Sequence, residues 1–214
     1  MSQIDIKAFR SIFGNGIQVP VFDSKELGVI SPLEMEVIAT LCTFFRPPRF
    51  VEVGVFEGKT ARGILSASPW IKEYVGIDMD PEKLSPEFCS SFATYRDQAT
   101  GKFLDPKAIR GQYAIHDPRF RLMLLNDASD LKPEIFQPYN MVFIDGDHSY
   151  EAVKRDTEIV MEGIAGRGLV LWHDYGWSGV LKLIDERNLK DEKSETICHV
   201  TGTSICFERV GIIL

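Results

Sequence analysis

The stretch FVEVGVFEGKT, residues 50–60, is the first place in the sequence where residue types and spacing suggest chemistry. It ends in Gly-Lys-Thr, as does a phosphate-binding P-loop, which has four residues between its two glycines. Here Gly54 and Gly58 are separated by three residues, and one of these is Glu57, whose carboxylate would repel a polyphosphate. The stretch therefore predicts a glycine loop that a ligand approaches closely, and it argues against a triphosphate as that ligand.

Acidic residues stand on both sides of this loop. Glu52 precedes the first glycine, and Asp78 ends the next apolar run along the chain. An acidic residue about 20 or more positions beyond a glycine loop is placed to accept hydrogen bonds from ribose hydroxyls. Glu52 can bind a cationic group or an N–H of the loop. The pattern indicates a ligand that contains ribose.

Two later stretches combine carboxylates with histidines. Asp145, Asp147 and His148 follow one apolar run, and His173 and Asp174 follow the next. A single acid after a strand is more often a helix cap than a functional group. Two acids and two histidines at neighbouring strand ends, above a glycine loop, favour a site for metal binding or acid–base chemistry.

The apolar pattern provides a scaffold that brings these strand ends together. Near-continuous apolar runs alternate with helix-like segments, which suits a parallel sheet covered by helices on both faces. Two final strands, 196–200 and 203–210, flank a Thr-Gly turn and predict a β-hairpin. We predict an α/β fold with a doubly wound, mostly parallel seven-stranded sheet and a C-terminal antiparallel β-hairpin. The five parallel runs are Phe50–Gly54, Tyr74–Asp78, Phe120–Leu125, Met141–Asp145 and Gly168–Trp172.

The N-terminal part and one long connection stand apart from this alternation. We predict a helical lead-in or cap over residues 1–48, in which Ser31 and Glu34 form a capping box at a helix start. Residues 49–214 are predicted to form the catalytic domain. Its segment at about 79–119 is longer than one connecting helix requires, and such an insertion is often a lid or a substrate-binding element. A variable surface loop is the alternative.

Composition restricts the classes of partner. The net charge of the 214-residue chain is −7 and no Lys/Arg run occurs, so a small molecule is the expected partner rather than nucleic acid. No apolar segment approaches the roughly 20 residues that span a bilayer. Asp5, Lys7 and Arg10 interrupt the N-terminus, which therefore lacks the apolar region of a signal peptide. The four cysteines lack metal-ligand spacing, and we expect a cytoplasmic protein with reduced thiols.

Taken together, the motifs resemble a known family. The pattern Glu-x-Gly-x-x-x-Gly at 52–58, followed by a strand that ends in Asp78, is similar to motifs I and II of class I S-adenosylmethionine-dependent methyltransferases. The stretches FIDGDHSYE at 143–151 and LWHDY at 171–175 resemble a subgroup with Asp-Gly-Asp-His and His-Asp-Tyr at strand ends four and five. That subgroup is similar in turn to metal-dependent O-methyltransferases of catechols, caffeoyl thioesters and antibiotic sugars. The resemblance covers about residues 50–185 and implies a Rossmann-like methyltransferase fold.

The resemblance implies S-adenosylmethionine as the cofactor and methyl donor. The glycine loop would line its methionine portion, and Glu52 would support that loop. Asp78 would hold the ribose hydroxyls, Met79 would border the adenine, and Ser129 would be a hydrogen-bond partner of the adenine. The implied cofactor-binding residues are Glu52, Gly54, Val55, Gly58, Asp78, Met79, Ala128, Ser129 and Asp145.

The resemblance also implies a divalent cation, Mg²⁺ or another, with Asp145 and Asp174 as ligands. Catechol-type enzymes have Asn after the second aspartate, where this chain has Tyr175. Sugar-type enzymes have Asp-Asp-Tyr, so that His173 would replace the first aspartate of that pair. Oxygen ligands suit Mg²⁺, whereas a histidine among them admits Mn²⁺, Fe²⁺ or Zn²⁺. Such a cation would orient the acceptor oxygen and lower its pKa.

Asp147 or His148 is the expected general base. The second aspartate of Asp-Gly-Asp has this role in the sugar-type relatives, which points to Asp147. Histidine side chains titrate near neutral pH, and a base works best when its pKa is close to the operating pH, which favours His148.

The expected protein is an S-adenosylmethionine-dependent methyltransferase that methylates a hydroxyl of a small molecule, a sugar or another metabolite, with or without a divalent metal. A homodimer is one expected assembly, because helical lead-ins form dimer contacts in related enzymes. Two alternatives stay open. A P-loop-like nucleotide-binding protein would bind ATP or GTP with Mg²⁺ at Asp145. A catalytically inactive methyltransferase-fold binding module would bind the cofactor at most.

Overall fold

A computed structural model of the protein describes residues 1–14, 30–97, 101–137, 140–164, 167–190 and 197–211. Residues 15–29 of the predicted lead-in, residues 98–100 of the insertion and Thr196 of the predicted hairpin lie outside these ranges. The described chain forms one eight-stranded sheet. The strands are β1 (Ser2–Asp5), β2 (Arg49–Val53), β3 (Glu73–Met79), β4 (Phe120–Leu125), β5 (Met141–Ile144), β6 (Gly168–Trp172), β7 (Ile197–Thr201) and β8 (Cys206–Val210).

The strand order in the sheet is β1-β7-β8-β6-β5-β2-β3-β4. Every neighbouring pair is parallel except β6–β8 and β7–β8, which are antiparallel. The order reverses between β2 and β5. Strands β3 and β4 lie on one side of β2, and strands β5 and β6 lie on its other side. In an open sheet of this kind, ligands bind at the carboxyl ends of the strands beside the reversal. The predicted doubly wound α/β fold with an antiparallel ending is confirmed.

The sheet has one strand more than predicted. Residues 2–5 form β1, which runs parallel to β7 with Ser2 opposite Cys198 and Asp5 opposite Thr201. The four residues SQID show no run of buried side chains, so the apolar pattern that indicated the other strands is absent here. The count of seven was wrong because three of the four residues of this edge strand are polar and only Ile4 packs against the core.

Helices cover both faces of the sheet, as the continuous apolar runs require. On β5, Met141 and Phe143 face one buried cluster and Val142 and Ile144 face the other. The first cluster also contains side chains of the first three helices, and the second contains side chains of the last two. The helices are α1 (Ile6–Phe13), α2 (Pro32–Phe45), α3 (Lys59–Ala67), α4 (Pro86–Phe92), α5 (Tyr150–Gly163) and α6 (Ser178–Lys190), with short 3₁₀ helices at Ala128–Asp130 and Pro133–Phe136.

Helix α2 begins where the capping box predicts. The Ser31 hydroxyl accepts from the Glu34 N–H at 3.3 Å, and the Ser31 N–H donates to the Glu34 carboxylate at 2.9 Å. The helix ends at Arg46, which adopts a left-handed conformation before Pro47-Pro48. The predicted start of this helix is confirmed, and it carries Glu34 to the edge of the sheet where β6 ends.

The C-terminal hairpin has a longer loop than predicted. The second strand begins at Cys206 and not at Thr203. The Thr203 hydroxyl donates to the Val200 carbonyl at 2.7 Å, and Ser204 donates from its N–H and its hydroxyl to Glu34 at 2.8 and 2.6 Å. These bonds take both residues out of the strand ladder.

The insertion between β3 and β4 contains α4 and a non-regular segment whose described part runs from 101 to 119. This segment lies against the loop after β2, because the N–H of Gly111 donates to the Phe56 carbonyl at 2.7 Å. The division of the chain at residue 48 stays a prediction. None of the described helices has the length and apolar character that crossing a bilayer requires.

Candidate active site

The glycine loop after β2 contacts the ends of both neighbouring strands, β3 and β5, at the strand-order reversal. Gly54 adopts φ +95°, and a Cβ there would lie 2.1 Å from the backbone oxygen of Asp145. The N–H groups of Gly54 and Val55 both donate to the carbonyl of Ile77, at 2.8 and 3.1 Å. Only glycine fits at position 54, because the loop crosses directly over the end of β5.

The loop also contains a strained residue. Phe56 adopts φ +44°, which is rare for a bulky side chain, and its N–H donates to the Asp78 carboxylate at 2.6 Å. Gly58 has φ +81°, and a Cβ there would lie 2.9 Å from the Cα of Gly111. Backbone strain of this kind persists where the surroundings hold it and is common at ligand-binding loops.

Glu52 lies beneath the loop and is 1% exposed. Its carboxylate accepts from the Tyr74 hydroxyl at 2.8 Å. Burial raises the pKa of Glu52 well above its usual value, and the nearby Asp145 carboxylate raises it further. The described hydrogen bond of Glu52 is to Tyr74 and not to an N–H of the loop, and the role of Glu52 as a support for the loop stays a prediction.

Lys59 is committed to carboxylates of the protein. Its Nζ lies 3.0 Å from Asp97 and 3.3 Å from Glu57. A P-loop lysine must reach the terminal phosphates of its ligand. Because Asp97 and Glu57 line the same cavity as the loop, a polyphosphate there would meet two negative charges. The Gly-Lys-Thr sequence therefore lacks the surroundings of a phosphate loop.

Asp78 stands at the end of β3, as predicted, and its carboxylate receives three donors from the protein. It accepts from the N–H groups of Phe56 and Met79 at 2.6 and 2.8 Å. Arg110, which belongs to the insertion, places its Nε 3.1 Å from Asp78 Oδ1. Burial raises the pKa of Asp78, although Arg110 opposes that shift. The sequence contained no motif that indicated Arg110.

The predicted adenine-contacting residues lie on the same rim. Strand β4 pairs with β3 so that Leu125 lies opposite Met79. The 3₁₀ helix with Ala128 and Ser129 follows directly, and the N–H of Ser129 donates to the Asp127 carboxylate at 2.8 Å. Ala128 is half-buried and Ser129 is exposed.

A small cavity lies over the glycine loop. It is lined by residues 52 and 54–60, by Asp97 and Leu104 from the insertion, and by Asp145. Its volume is about 20 Å³, which is room for about one water molecule. The cavity brings the loop and Asp145 to one place, although they are far apart in the sequence.

Asp145, His173 and Asp174 come together at the ends of β5 and β6. One donor atom from each lies within 4.8 Å of the other two. Nδ1 of His173 is 2.9 Å from Asp145 Oδ1 and 3.2 Å from Asp174 Oδ2. His148 joins them, because its Nε2 lies 3.1 Å from Asp174 Oδ2. With Glu34, described next, these residues form the acid–histidine cluster.

Glu34 is a member of the cluster that the sequence pattern did not indicate. One carboxylate oxygen lies 3.6 Å from Nε2 of His173, and the other accepts both bonds from Ser204. The capping box identified Glu34 as a helix-start residue only. Its contact with Ser204 spans 170 residues of sequence, and no local pattern reports such a contact.

The cluster favours the protonated form of His173. Burial alone would lower the pKa of His173, but Asp145, Asp174 and Glu34 together raise it well above its usual value. Burial also opposes ionisation of Glu34 and Asp174, yet their contacts with His173 bring the pKa of each below its usual value. The pKa of Asp145 is raised because its burial outweighs the attraction of His173.

Asp174 is held in a strained conformation. Its φ is +57°, and its carbonyl accepts from the Trp177 N–H at 3.0 Å in the turn before α6. The N–H of Tyr175 donates to the Ser204 carbonyl at 3.0 Å. A non-glycine residue in this region is uncommon and often marks a functional site. The turn aims the Asp174 carboxylate at both histidines.

The two candidate bases have different surroundings. Asp147 is exposed, and its carboxylate accepts a hydrogen bond from the N–H of Ser149 at 2.7 Å. His148 belongs to the cluster, and its backbone is fixed by close packing, because a Cβ on Gly179 would lie 2.2 Å from the His148 carbonyl oxygen. The structure thus brings His148, and not Asp147, into contact with Asp174.

A row of aromatic rings leads from the cluster to the glycine loop. The His148 ring lies 5.0 Å from that of Trp177, which lies 5.6 Å from Tyr95. Tyr95 lies 6.0 Å from Phe92, which lies 5.3 Å from Phe56. Trp177 is 43% exposed, so one flank of the site presents an aromatic surface to an incoming molecule.

The donor set of the cluster fits a divalent cation. Two carboxylates and an imidazole suit Mn²⁺, Fe²⁺ or Zn²⁺, and the carboxylates also suit Mg²⁺. A histidine binds metal through a nitrogen that has lost its proton. His173 would therefore bind a cation through an Nδ1 that carries no proton, whereas the raised pKa of His173 favours the protonated form.

Replacing Glu34 with glutamine tests the charge beside His173. The amide retains an oxygen for Ser204 but loses the negative charge, and its NH₂ group also ends the capping bond from the Ser31 N–H, a loss that does not depend on pH. Because the folded-state pKa of His173 is raised, its stabilisation is complete below the unfolded value of about 6.5 and is lost as the pH rises through the raised value. The pKa of Glu34 is lowered, so its contribution is complete above its unfolded value and is lost on acidification.

We therefore expect E34Q to lower the free energy of unfolding by about 1–3 kcal/mol between about pH 5 and 6.5. The difference from wild type should shrink as the pH rises. Urea denaturation with EDTA at several pH values measures it. Glu36→Gln, on the same helix but paired with Arg10, is the matched control. A loss from E34Q that stays constant up to alkaline pH would contradict the assignment.

Comparisons with known proteins agree with this geometry. A protein-family profile described as a methyltransferase domain matches residues 51–175, more than half of the chain. The matched stretch runs from β2 through the His173-Asp174 pair. No curated protein matches the chain significantly.

Solved structures share the fold over nearly the whole chain. The O-methyltransferase TomG of Streptomyces achromogenes, involved in tomaymycin synthesis and solved with S-adenosylmethionine, is 15% identical with a TM-score of 0.56, and the match covers 94% of this chain and 93% of TomG. A candidate caffeoyl-CoA O-methyltransferase of Staphylococcus aureus is 15% identical with a TM-score of 0.54, covering 95% and 96%. The methyltransferase PaMTH1 of Podospora anserina, bound to S-adenosylhomocysteine (SAH), is 13% identical with a TM-score of 0.52, covering 92% and 85%.

Proposed function

The chain belongs to the methyltransferase-domain family, and on that premise we propose that it is an S-adenosylmethionine-dependent O-methyltransferase acting on a small-molecule hydroxyl. One observation carries the proposal: the glycine loop and Asp145, a member of the acid–histidine cluster, line a single cavity, where Gly54 and Asp145 are in backbone contact. A donor site and a deprotonating site must adjoin in this way, because the methyl moves directly from one ligand to the other.

The cofactor assignment rests on the glycine loop and Asp78. S-adenosylmethionine, when bound, supplies an electrophilic methyl group on a sulfonium. The loop from Gly54 to Gly58 gives its methionine portion close access to backbone, and the Asp78 carboxylate accepts from the ribose hydroxyls. Met79 and Ser129 border the adenine. TomG and PaMTH1 were solved with this cofactor or its product, which supports the same choice here.

His148 is the proposed base. With its Nε2–H donating to Asp174, the lone pair on Nδ1 accepts the proton of the acceptor hydroxyl. As that proton leaves, the oxygen forms a bond to the methyl carbon and the bond from that carbon to sulfur breaks. Neutral SAH and a methyl ether are the products, and the proton stays on His148 until water removes it. Trp177 holds the ring of His148 from one side.

Asp145, His173 and Asp174 are the proposed holders of a divalent cation. When bound, such a cation lowers the pKa of the acceptor hydroxyl and orients its oxygen. Glu34 lies on the far side of His173, facing Nε2, so that Nδ1 faces the two aspartates. An outer carboxylate of this kind fixes the orientation of a histidine ligand. Homodimer formation and a cytoplasmic location remain predictions.

The first experiment is calorimetric titration of the purified protein with SAH and, in parallel, with ATP·Mg²⁺, each with and without EDTA. We expect micromolar binding of SAH and no binding of ATP·Mg²⁺, because Lys59 is paired with Asp97 and Glu57. Binding of ATP·Mg²⁺ alone would overturn the proposal in favour of a nucleotide-binding protein. Methyl transfer from labelled S-adenosylmethionine to a panel of phenols, sugars and hydroxy acids then identifies the acceptor class. SAH binding without transfer to any member would favour the inactive binding module.

A further inference from the structure

The insertion carries one arginine into the proposed cofactor site. The side chain of Arg110 is 4% exposed, and its Nε forms an ion pair with Asp78 at 3.1 Å. Its two terminal nitrogens donate to the carbonyls of Ala108 and Pro106 at 2.9 and 3.0 Å. The guanidinium carbon lies 5.2 Å from the ring centre of Phe56. The cation is thus held by its own segment beside the Asp78 carboxylate, with which Nε forms an ion pair but no hydrogen bond.

The same segment is fastened to the glycine loop. The N–H of Gly111 donates to the Phe56 carbonyl at 2.7 Å, and the N–H of Tyr113 donates to the Glu57 carbonyl at 3.0 Å. The Gln112 side chain adds a bond to the Glu57 carboxylate at 2.5 Å. These three bonds hold residues 110–113 against the loop.

A ribose whose two hydroxyls both bind Asp78 would have to displace at least one of the donors that the protein places on this carboxylate. The carboxylate already receives two N–H groups and the Arg110 cation. Only 14% of the Asp78 side chain is exposed while Arg110 lies against it at 3.1 Å. A ribose that binds this carboxylate through both hydroxyls therefore competes with Arg110 for it.

Resting on the proposed function, we propose that Arg110 is a residue of the cofactor site that competes with the ribose hydroxyls for Asp78. Cofactor binding then requires the segment 104–113 to move off the glycine loop. Only molecules in which the segment is open can bind the cofactor. The apparent affinity is therefore the intrinsic affinity multiplied by the fraction of molecules that are open. The effect on cofactor binding distinguishes this role from that of a structural ion pair. Removing Arg110 strengthens cofactor binding if Arg110 is a competitor, but not if Arg110 only supports the fold.

The test is Arg110→Met, which keeps an apolar stem against Phe56 and removes the cation. We expect SAH to bind about five- to tenfold more tightly by calorimetry. Stopped-flow measurements should assign the gain to faster association with little change in dissociation. The melting temperature of the free variant should fall, because an ion pair is lost. A merely structural arginine predicts the same fall with weaker or unchanged SAH binding.

Two further variants keep the test decisive if Arg110→Met folds poorly. Gln112→Ala removes a segment-to-loop bond without touching Asp78, and it should strengthen SAH binding about two- to threefold. Arg121→Met removes the same charge from the exposed side of β4 and should leave SAH binding unchanged.

The outcomes separate this inference from the proposed function. If the wild type binds SAH, and Arg110→Met and Gln112→Ala leave that binding unchanged or weaken it, the role of Arg110 is overturned and the proposed function is not. Absence of SAH binding in wild type and all variants would overturn the proposed function, and this inference with it. If Arg110→Met binds SAH more tightly than the wild type does, or binds SAH when the wild type does not, the result supports competition between Arg110 and the ribose for Asp78.

Discussion

Replacing Asp145 with asparagine is expected to reduce methyl transfer by at least about a thousandfold while SAH still binds within about threefold of the wild-type affinity. The carboxylate of Asp145 contacts Nδ1 of His173 at 2.9 Å and belongs to the proposed metal site. The contact of residue 145 with Gly54, by contrast, is made through the backbone. The substitution should therefore leave the glycine loop in place and disable the chemistry beside it.

Three measurements check this expectation: the turnover number with the acceptor found in the panel, SAH affinity by calorimetry, and Mn²⁺ affinity. The last should fall with the activity if Asp145 is a metal ligand. Asp147→Asn is the matched control, since it changes the same chemistry two residues away at an exposed position whose described contact is Ser149. We expect it to retain activity within about threefold of wild type.

Either of two results would contradict the assignment. A folded D145N protein that no longer binds SAH would mean that Asp145 belongs to the cofactor site and not to the reacting end. A large loss of activity in Asp147→Asn would instead identify Asp147 as the base. The second result would require Asp147 to leave its bond with Ser149 when the acceptor binds.

The sequence predicted those parts of the site that depend on local patterns. The strands β2 to β6 were found because each reads as an apolar run, and all but the edge strand β4 are largely buried. The glycine loop and Asp78 were found because a strand, a glycine turn and an acid follow one another at a characteristic spacing. The acids and histidines at the ends of β5 and β6 were brought together by the topology, as strands parallel to one another place their carboxyl ends on one edge.

The residues that sequence reasoning missed act over long distances or through backbone pairing. Glu34 reaches Ser204 and His173 from the start of α2, and its capping role alone explained its presence. Arg110 lies in an insertion without helix or strand periodicity, so its burial against Asp78 had no local signal. Strand β1 contains a single apolar residue, Ile4. In each case a contact across the fold determines the residue's surroundings.

Substituting Asp78 with asparagine should weaken SAH binding about a hundredfold. A hydrogen bond to a charged group contributes about 1.5–3 kcal/mol. Because two ribose hydroxyls bind one carboxylate, we expect a loss of about 2.7 kcal/mol in binding free energy, which is two factors of ten in affinity. Asparagine retains one oxygen but presents an NH₂ group to the second hydroxyl. Calorimetry with SAH measures the effect, and Asp80→Asn, two residues further on, is the control for loss of charge.

Arg110 complicates the single substitution, because D78N leaves a buried cation without its partner. The comparison is therefore also made in the Arg110→Met background, where that cation is absent. If Asp78 binds the ribose, D78N should weaken SAH binding in both backgrounds. A weakening that vanishes in the Arg110→Met background would mean that Asp78 serves only to neutralise Arg110.

The pH dependence of SAH binding gives an independent check on Asp78. Burial raises the pKa of this carboxylate, so it becomes protonated at a higher pH than an ordinary aspartate as the solution is acidified. The protonated form has lost one acceptor, and wild-type affinity should therefore fall as the pH drops through the raised pKa. D78N cannot titrate at this position and should show a flatter profile. Parallel profiles for the two proteins would rule out Asp78 as the ribose acceptor.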